Sequence, residues 1–211
     1  MPHLTTKYAP QRIEEFIGLD EPRRVLAKYL KAPYPAAFAF VGDSGTGKTK
    51  MAEVVARSLN PDNPFTPQTY IHVGSGKCNV EKVRQIEERL DYLPWGWWVV
   101  HIDEINEQTA EAQIAWLSVL DRIPPKTVFL FTCNDTAKLE PRFLSRCMQL
   151  KFSNYGLNGT GSAFLREIWR KEASGDIASG NNEPDFARVL KNQRNNIRGA
   201  LTELESLILR G

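Results

Sequence analysis

The chain has 211 residues, and its 27 lysines and arginines against 25 aspartates and glutamates give a formal net charge of +2. This near balance excludes a chain that binds nucleic acid through bulk charge alone, although a local basic patch stays open. With 42% hydrophobic and 25% charged residues, the composition excludes a disordered chain. No apolar stretch approaches the ~20 residues of a membrane span, and the N-terminus does not resemble a secretory signal. The sequence therefore predicts a cytoplasmic chain with no membrane contact.

Strands and helices alternate along the first part of the chain. Five short apolar runs predict strands, at residues 36–41, 69–73, 97–102, 127–132 and 148–152. Apolar spacing of three and four residues, together with stops at proline, predicts helices between them, at residues 48–59, 80–90 and 112–120. Strands separated by helices indicate a parallel sheet covered on both faces, which is an α/β fold.

The pattern changes after residue 152. Residues 153–162 contain three glycines and two asparagines, which predict a linker or a surface loop. Beyond them only helical spacing recurs, and it defines three apolar faces: Phe164, Leu165, Ile168 and Trp169; Phe186, Val189 and Leu190; and Ile197, Ala200, Leu201, Leu204, Leu207 and Ile208. The sequence thus predicts an α/β domain over residues 1–152 and a small helical domain over residues 153–211.

Cysteines and histidines show no ligand spacing along the chain. The cysteines are odd in number and widely separated, which argues against a disulfide framework and suits a reducing compartment. They are Cys78, Cys133 and Cys147. The histidines are equally dispersed, at positions 3, 72 and 101. We therefore expect no structural metal bound by these side chains.

A glycine-rich segment between the first predicted strand and its helix matches the phosphate-binding pattern G-x-x-x-x-G-K-[ST] in full. Its glycines let successive backbone N–H groups face a phosphate, and the helix directs its positive N-terminal end at the same anion. A chance glycine-rich turn is the alternative, but the position between strand and helix favours ATP binding. Lys48 would contact the β- and γ-phosphates, and Thr49 would hold Mg²⁺. The segment comprises Gly42, Asp43, Ser44, Gly45, Thr46, Gly47, Lys48 and Thr49.

The third predicted strand ends in two carboxylates, Asp103 and Glu104. A strand of this form is typical of the Walker B motif, in which the first acid binds Mg²⁺ through water and the second orients the attacking water. Acids that cap a helix are the alternative, but the phosphate loop favours catalysis. The sequence therefore predicts Mg²⁺ near Thr49 and Asp103, with Glu104 assisting hydrolysis.

With these residues in place, the chain resembles an AAA+ ATPase, and within that class the small subunits of sliding-clamp loaders of the replication factor C type. The segments KYAP (residues 7–10) and EFIG (residues 15–18) are similar to the part of that family that packs around adenine, which implies nucleotide contacts for Tyr8, Pro10 and Gly18. EAQIA after the Walker B strand resembles the helix that the family carries there. FTCN resembles sensor 1, which implies that Asn134 contacts the γ-phosphate or the water.

Two further motifs extend the resemblance. SRC at residues 145–147 is the signature of clamp loaders, and it implies that Arg146 is an arginine finger inserted into the ATP site of a neighbouring subunit. An ordinary surface arginine is the alternative. NIRGAL at residues 196–201 resembles sensor 2 and places Arg198 on the nucleotide from a helical lid. The resemblance thus implies a P-loop fold, a parallel five-stranded sheet with helices on both faces, followed by that lid.

Three departures from the family leave the substrate open. The chain ends at Gly211, shortly after sensor 2, so we expect that a collar domain lies on another chain or was removed, or that assembly proceeds through the ATPase domains alone. The turn at residues 74–79 is not acidic, and WLS at residues 116–118 replaces paired arginines. One function that fits is a clamp-loader-like homo- or hetero-oligomer that couples ATP binding to engagement of primed or duplex DNA and a sliding clamp, and hydrolysis to release. The alternative is a regulator of a mobile element, or a helicase loader, that assembles on DNA and recruits a partner protein. In a third class, protein-remodelling ATPases, an aromatic loop would line a pore, and we identify no such loop.

Basic residues near the start of the helix predicted at residues 80–90 are the candidate DNA contacts, namely Lys77, Lys82 and Arg84. Basic groups and helix N-termini bind phosphate without reading base sequence. A solvated face of mixed charge is an equal alternative, because glutamates share this helix. The tryptophans that precede the Walker B strand could stack on bases, but we expect them to pack with the strand instead; they are at positions 95, 97 and 98.

Overall fold

Residues 3–173 and 183–210 are described in the computed structural model, apart from the side chain of residue 158. They contain five strands, β1 (Ala36–Val41), β2 (Tyr70–Val73), β3 (Trp98–Ile102), β4 (Thr127–Cys133) and β5 (Met148–Lys151). They also contain nine α-helices: α1 (Leu4–Lys7), α2 (Asp20–Lys31), α3 (Lys48–Leu59), α4 (Val80–Leu90), α5 (Ala110–Asp121), α6 (Pro141–Leu144), α7 (Asn158–Glu172), α8 (Phe186–Asn192) and α9 (Ile197–Arg210). All strand pairs are parallel, in the order β2-β3-β4-β1-β5. The predicted parallel five-stranded sheet is confirmed.

Helices cover both faces of the sheet. Successive strand residues point to opposite sides, so each strand contributes side chains to both faces. On one face, Phe129 and Phe131 of β4 meet Trp116 of α5, with ring centroids 5.7 and 5.5 Å apart in edge-to-face contacts. On the other face, Phe40 of β1 packs in a second cluster that includes Met51 of α3. All five side chains are fully buried. The two apolar clusters fix the helices on either side of the sheet.

The parallel topology determines where the polar side chains meet. The phosphate loop follows β1, the two acids follow β3 and Asn134 follows β4, and in the sheet β4 lies between β1 and β3. Carboxyl ends of parallel strands lie at the same edge of a sheet. Three segments that are distant in sequence are therefore neighbours at this edge.

The C-terminal helices form their own apolar cluster. The three apolar faces predicted there are confirmed, since Leu165 of α7, Leu190 of α8 and Leu204 of α9 are fully buried within it. Leu4 of α1 joins the same cluster. The domain boundary after residue 152 stays a prediction, and residues 174–182 and 211 of the predicted helical domain lie outside the described residues.

The prediction of a linker or loop at residues 153–162 is wrong for the second half of that segment, because α7 begins at Asn158. Buried Leu157 directly precedes the helix. A Cβ atom at Gly161 would lie 2.9 Å from a methyl carbon of Leu190, so glycine allows α7 to approach α8 closely. The glycine content of this segment thus reflects helix packing as well as a turn.

Other element boundaries differ slightly from the prediction. The helix predicted at residues 112–120 begins at Ala110, because the Thr109 hydroxyl caps it by accepting a bond from Ala112 N at 3.3 Å. The sequence did not predict α1, α2 or α6.

Two of the tryptophans near β3 lie in different surroundings. Trp98 packs in β3 as expected, but the prediction that Trp95 packs with the strand is wrong, because 81% of its residue surface is exposed. Within the described residues, no helix has the length and apolar character required to span a bilayer.

Candidate nucleotide-binding site

Lys48 begins α3 and turns its ammonium group back into the phosphate loop. Its Nζ donates to the carbonyl oxygens of Gly42 and Asp43, at 2.5 and 2.8 Å, and to Asn134 Oδ1 at 3.2 Å. Burial lowers the pKa of Lys48, while nearby acids oppose the effect. Phosphate oxygens can replace these neutral partners, so the buried cation is placed to receive an anion.

Thr49 and Asp103, predicted together as the Mg²⁺ ligands, are in direct contact. The Thr49 hydroxyl donates to Asp103 Oδ1 at 3.0 Å, and Thr132 donates to the same oxygen at 2.9 Å. Burial would raise the pKa of Asp103, but His101, His72 and Thr132 hold it well below its ordinary value. A hydroxyl and an ionised carboxylate are the oxygen donors that Mg²⁺ prefers, so these residues fit that ion.

Glu104 directly follows in a left-handed backbone conformation, with φ 50° and ψ 56°. Residues other than glycine adopt this conformation rarely, and it often marks a functional site. The Glu104 backbone N–H donates to Thr132 Oγ1 at 3.0 Å. The Thr132 hydroxyl therefore positions both acidic residues, because it donates to the Asp103 side chain and accepts from the Glu104 backbone. Sequence reasoning missed Thr132, although it lies in the FTCN segment two residues before Asn134.

These residues surround a polar cavity of about 230 Å³. Asn134 is positioned by its backbone N–H, which donates to Asn106 Oδ1 at 3.3 Å. Gly42 and Asp43 contribute carbonyl oxygens to Lys48 and are not among the described lining residues. The predicted residues that line the cavity are Ser44, Gly45, Gly47, Lys48, Thr49, Asp103, Glu104, Asn134 and Arg198.

A second, more apolar cavity of about 190 Å³ adjoins the first. Tyr8 and Pro10 line it as predicted, and so does Thr46. Gly18 is not in the described lining; its neighbours Ile17 and Leu19 are. Gly45, Gly47 and Arg198 border both cavities. An apolar cavity continuous with a polar one suits a base attached to phosphates.

The C-terminal helices contact the phosphate loop through a residue to which the sequence analysis assigned no role. The Asn196 side chain donates to the Ser44 carbonyl at 3.0 Å. A Cβ atom at Gly45, where φ is 81°, would lie 2.2 Å from Asn196 Nδ2, so only glycine permits this approach. Asn196 also accepts from Gly199 N at 3.2 Å and thereby caps the start of α9. The helix that carries Arg198 is thus anchored to the loop.

Tyr8 connects the N-terminal segment to the same helical unit. Its hydroxyl donates to Glu172 of α7, and Lys7 Nζ donates to that carboxylate at 2.9 Å. Burial and the adjacent Glu172 raise the pKa of Tyr8 to about 12. The tyrosine ring also meets Phe164 edge to face at 6.4 Å. The apolar cavity is therefore lined by residues from both the N-terminal and the C-terminal parts of the chain.

Arg146 is held away from both cavities. Its Nε donates to Asp121 Oδ1 at 2.7 Å and its Nη2 to Asp121 Oδ2 at 3.1 Å. A third bond reaches the carbonyl oxygen of Arg142 at 2.8 Å. Arg146 is absent from the described lining of either cavity. The structure therefore does not bring it to the other predicted catalytic residues of its own chain.

The candidate DNA contacts lie at the start of α4. Lys77 and Arg84 are exposed, Lys82 is half-buried, and the described ion pairs include none of the three. Asn79 caps the helix by accepting from Lys82 N at 2.8 Å. Lys82 and Arg84 lie about 200° apart around the helix axis, so they do not form one face.

Similar folds occur in solved structures that share little sequence. A RuvB variant from Thermotoga maritima superposes with a TM-score of 0.68 at 23% identity, over 94% of this chain and 64% of that one. A DNA polymerase III gamma subunit-related protein from the same organism gives 0.60 at 14% identity, over 86% of this chain and 57% of that one. At these identities the likeness shows the fold alone.

Curated relatives add sequence similarity. The replication factor C small subunit of Picrophilus torridus is 29% identical over 153 residues, which are 70% of this chain and 48% of the relative. Replication factor C subunit 4 of Caenorhabditis elegans is 28% identical over 96% of this chain and 62% of its own length. The chain thus spans about half to three-fifths of these relatives. Residues 38–155 match the family described as "ATPase family associated with various cellular activities (AAA)", and the chain belongs to that family.

Proposed function

We propose that this chain is an ATP-hydrolysing subunit of an oligomeric, DNA-associated machine of the clamp-loader type, acting in the cytoplasm. The observation that carries the proposal is a division of the catalytic groups. Lys48, Asp103, Glu104 and Asn134 converge on one cavity, whereas Arg146 is held outside it. A site complete except for one cation suits a ring in which a neighbouring subunit supplies that cation.

Within one chain, each polar group has a separate role. Lys48 would bind the β- and γ-phosphates in place of its present carbonyl partners. Thr49 and Asp103 would hold Mg²⁺, which neutralises charge on the phosphates. Glu104 would orient the attacking water and accept its proton, while Asn134 would hold that water or the γ-phosphate. Arg198 borders both cavities and would report the nucleotide to the lid.

Between subunits, Arg146 would leave Asp121 and enter the site of its neighbour. There its guanidinium would stabilise the charge that develops on the γ-phosphate. ATP bound at such an interface would hold the oligomer on DNA, and hydrolysis would release it. Assembly and hydrolysis are then linked through one arginine.

Contact with DNA is proposed for Lys77, Lys82 and Arg84. The proposal is supported by the exposure of Lys77 and Arg84, by the absence of a described acidic partner for any of the three, and by their position near a helix N-terminus, where phosphate binds well. Because Lys82 and Arg84 diverge around the axis, the contact would be made by the N-terminal end of α4. Contacts of this type hold a duplex without reading its sequence.

A protein partner is supported by a different surface. Between α4 and β3, Tyr92, Leu93 and Trp95 are 73%, 84% and 81% exposed. Large apolar side chains grouped on a surface are typical of a docking site for another protein. A ring clamp is the partner of the proposed function, and a recruited helicase or mobile-element protein is the partner of the alternative.

The test is ATP hydrolysis as a function of protein concentration, with and without a primed single-strand template. A rate that rises steeply with protein and increases with the template supports an oligomer that engages DNA. If DNA does not change the hydrolysis rate, the chain is still an ATPase, but the clamp-loader proposal is contradicted. Binding to a ring clamp in a pull-down, as opposed to filament formation on bare duplex, distinguishes the proposed function from the alternative.

A further inference from the structure

Two histidines that are dispersed in sequence lie side by side next to Asp103. β2 and β3 are neighbours in register, so His72 is paired directly with His101, and Asp103 follows two residues later on the same face. His72 Nε2 lies 3.1 Å from Asp103 Oδ2, and His101 Nε2 lies 3.2 Å from Asp103 Oδ1. The three potential ligand atoms lie within 4.8 Å of one another. Strand register, and not sequence spacing, creates this cluster.

His101 carries an unsatisfied nitrogen into the cluster. Its side chain is only 1% exposed, and Nε2 lies 3.2 Å from Asp103 Oδ1 but forms no hydrogen bond among the described residues. Its other nitrogen, Nδ1, is hydrogen-bonded to the Tyr70 hydroxyl at 2.8 Å. When Nδ1–H donates to Tyr70, the lone pair of Nε2 faces a carboxylate oxygen. A cation between these two acceptors would satisfy both.

We propose that His72, His101 and Asp103 bind a divalent transition-metal ion, with zinc as its representative. Two imidazole nitrogens and a carboxylate oxygen form a ligand set that zinc, cobalt and manganese accept, whereas magnesium prefers oxygen ligands and does not favour the two imidazoles. Tyr70 would act as the outer partner that orients the His101 ring, a common feature of histidine ligands. The His72 side chain is 44% exposed, so an ion can enter from solvent and keep a water ligand.

The site shares Asp103 with the proposed magnesium position. Oδ1 of Asp103 contacts Thr49 and Thr132, while Oδ2 contacts His72. A metal held by the histidines would draw this carboxylate away from Thr49 and inhibit ATP hydrolysis. That inhibition rests on the proposed function, whereas the binding of the ion does not.

Binding is measured directly by visible absorption during titration of the full chain with Co²⁺, without nucleotide or Mg²⁺, followed by displacement with Zn²⁺. We expect one Co²⁺ per chain, no thiolate-to-cobalt charge-transfer band, and loss of the signal when one equivalent of Zn²⁺ is added. His72→Ala should weaken the affinity at least ~10-fold, since it removes a ligand. The matched control is His3→Ala, because His3 is exposed and contacts only Glu205 among the described side chains.

His72 is chosen because its exposed ring can be removed without opening the core, whereas His101→Ala would leave a buried gap. His72→Asn keeps a polar side chain and should also lose affinity. Absence of stoichiometric binding would overturn the proposal. So would an affinity unchanged by His72→Ala, or a thiolate band, which would place the ion on a cysteine. None of these measurements depends on ATP hydrolysis.

Discussion

Asp103 and Arg146 carry the opposite charges of the proposed reaction, and the molecule holds them in different ways. Asp103 directly follows β3, where Thr49, Thr132 and His101 contact it in partly buried surroundings and the exposed His72 contacts it from the solvent side. Arg146 is held on the surface by Asp121 and by a backbone carbonyl. The Arg146 contact keeps the pKa of Asp121 below its ordinary value, yet both groups face solvent. Exposed ion pairs of this kind contribute little to stability.

The difference follows from where each group acts. A group that works in the site of its own chain gains from being fixed before the nucleotide arrives. A group that works in the site of a neighbour must leave its resting position, so a strong internal partner would oppose it. Several fixed contacts, most of them partly buried, therefore suit Asp103, and a single weak exposed pair suits Arg146.

The largest effect is expected from Arg146→Ala. Assembly-dependent hydrolysis should fall about 10³–10⁵-fold, the range for loss of an arginine finger, while ATP binding to one chain is retained. Nucleotide binding and steady-state hydrolysis measure the two quantities. Arg142→Ala is the matched control, because only the backbone carbonyl of Arg142 contacts Arg146. Mixing Arg146→Ala with Glu104→Gln protein should restore activity; a mixture that stays inactive contradicts action between subunits.

The next effect concerns Glu104. Glu104→Gln should retain ATP binding and reduce turnover by about 10²–10⁴-fold, the contribution of a general base. Single-turnover hydrolysis separates this chemical step from product release. Glu107→Gln is the control, since Glu107 is three residues away, exposed, and outside the described lining of the cavity. Turnover that continues in Glu104→Gln would remove the role assigned to this carboxylate.

Thr132→Val tests how Asp103 is held in position. The change removes the donor to Asp103 Oδ1 and the acceptor for Glu104 N–H. We expect kcat to fall roughly 10–100-fold, as for loss of an outer-shell contact. The partly buried Glu104 N–H left without a partner should lower the free energy of unfolding by about 1 kcal/mol. Urea unfolding and steady-state kinetics test both, with Thr127→Val at the opposite end of β4 as the control. An unchanged kcat would show that Thr132 does not position the acids.

The core of the fold could be predicted because its signals are local. The bounds of β1, α3 and α4 agree with the prediction, since apolar runs, helical spacing and the phosphate loop are read from neighbouring residues. The amphipathic helix α2 has a similar local pattern, with Leu26 and Tyr29 on its buried face, and the sequence analysis missed it. Only the second half of the segment 153–162 was misassigned, because Gly161 lies in α7 and allows close contact with Leu190, a residue distant in sequence.

The residues of the site that belong to sequence motifs could be predicted, whereas the residues that hold them in position could not. Lys48, Asp103 and Asn134 were named from patterns and meet because of the strand order. Thr132 and the two clustered histidines depend on which strands pair and in what register, and neither is visible in sequence spacing. The Asp121–Arg146 pair joins the end of α5 to the second residue after α6 and has no local signal.

The smallest effect is expected from Asp121→Asn, which weakens the resting contact of Arg146 and leaves the arginine in place. If the pair competes with the site of the neighbour, its loss should raise assembly-dependent hydrolysis, and by no more than about fivefold, because an exposed pair offers little opposition. The increase should appear at protein concentrations below saturation of assembly and vanish above it, since only the assembled fraction changes. Asp91→Asn, an exposed acid that follows α4, is the control. A fall in hydrolysis at every concentration would mean that Asp121 orients the finger for its neighbour, and the contrast drawn between Asp103 and Arg146 would then no longer hold.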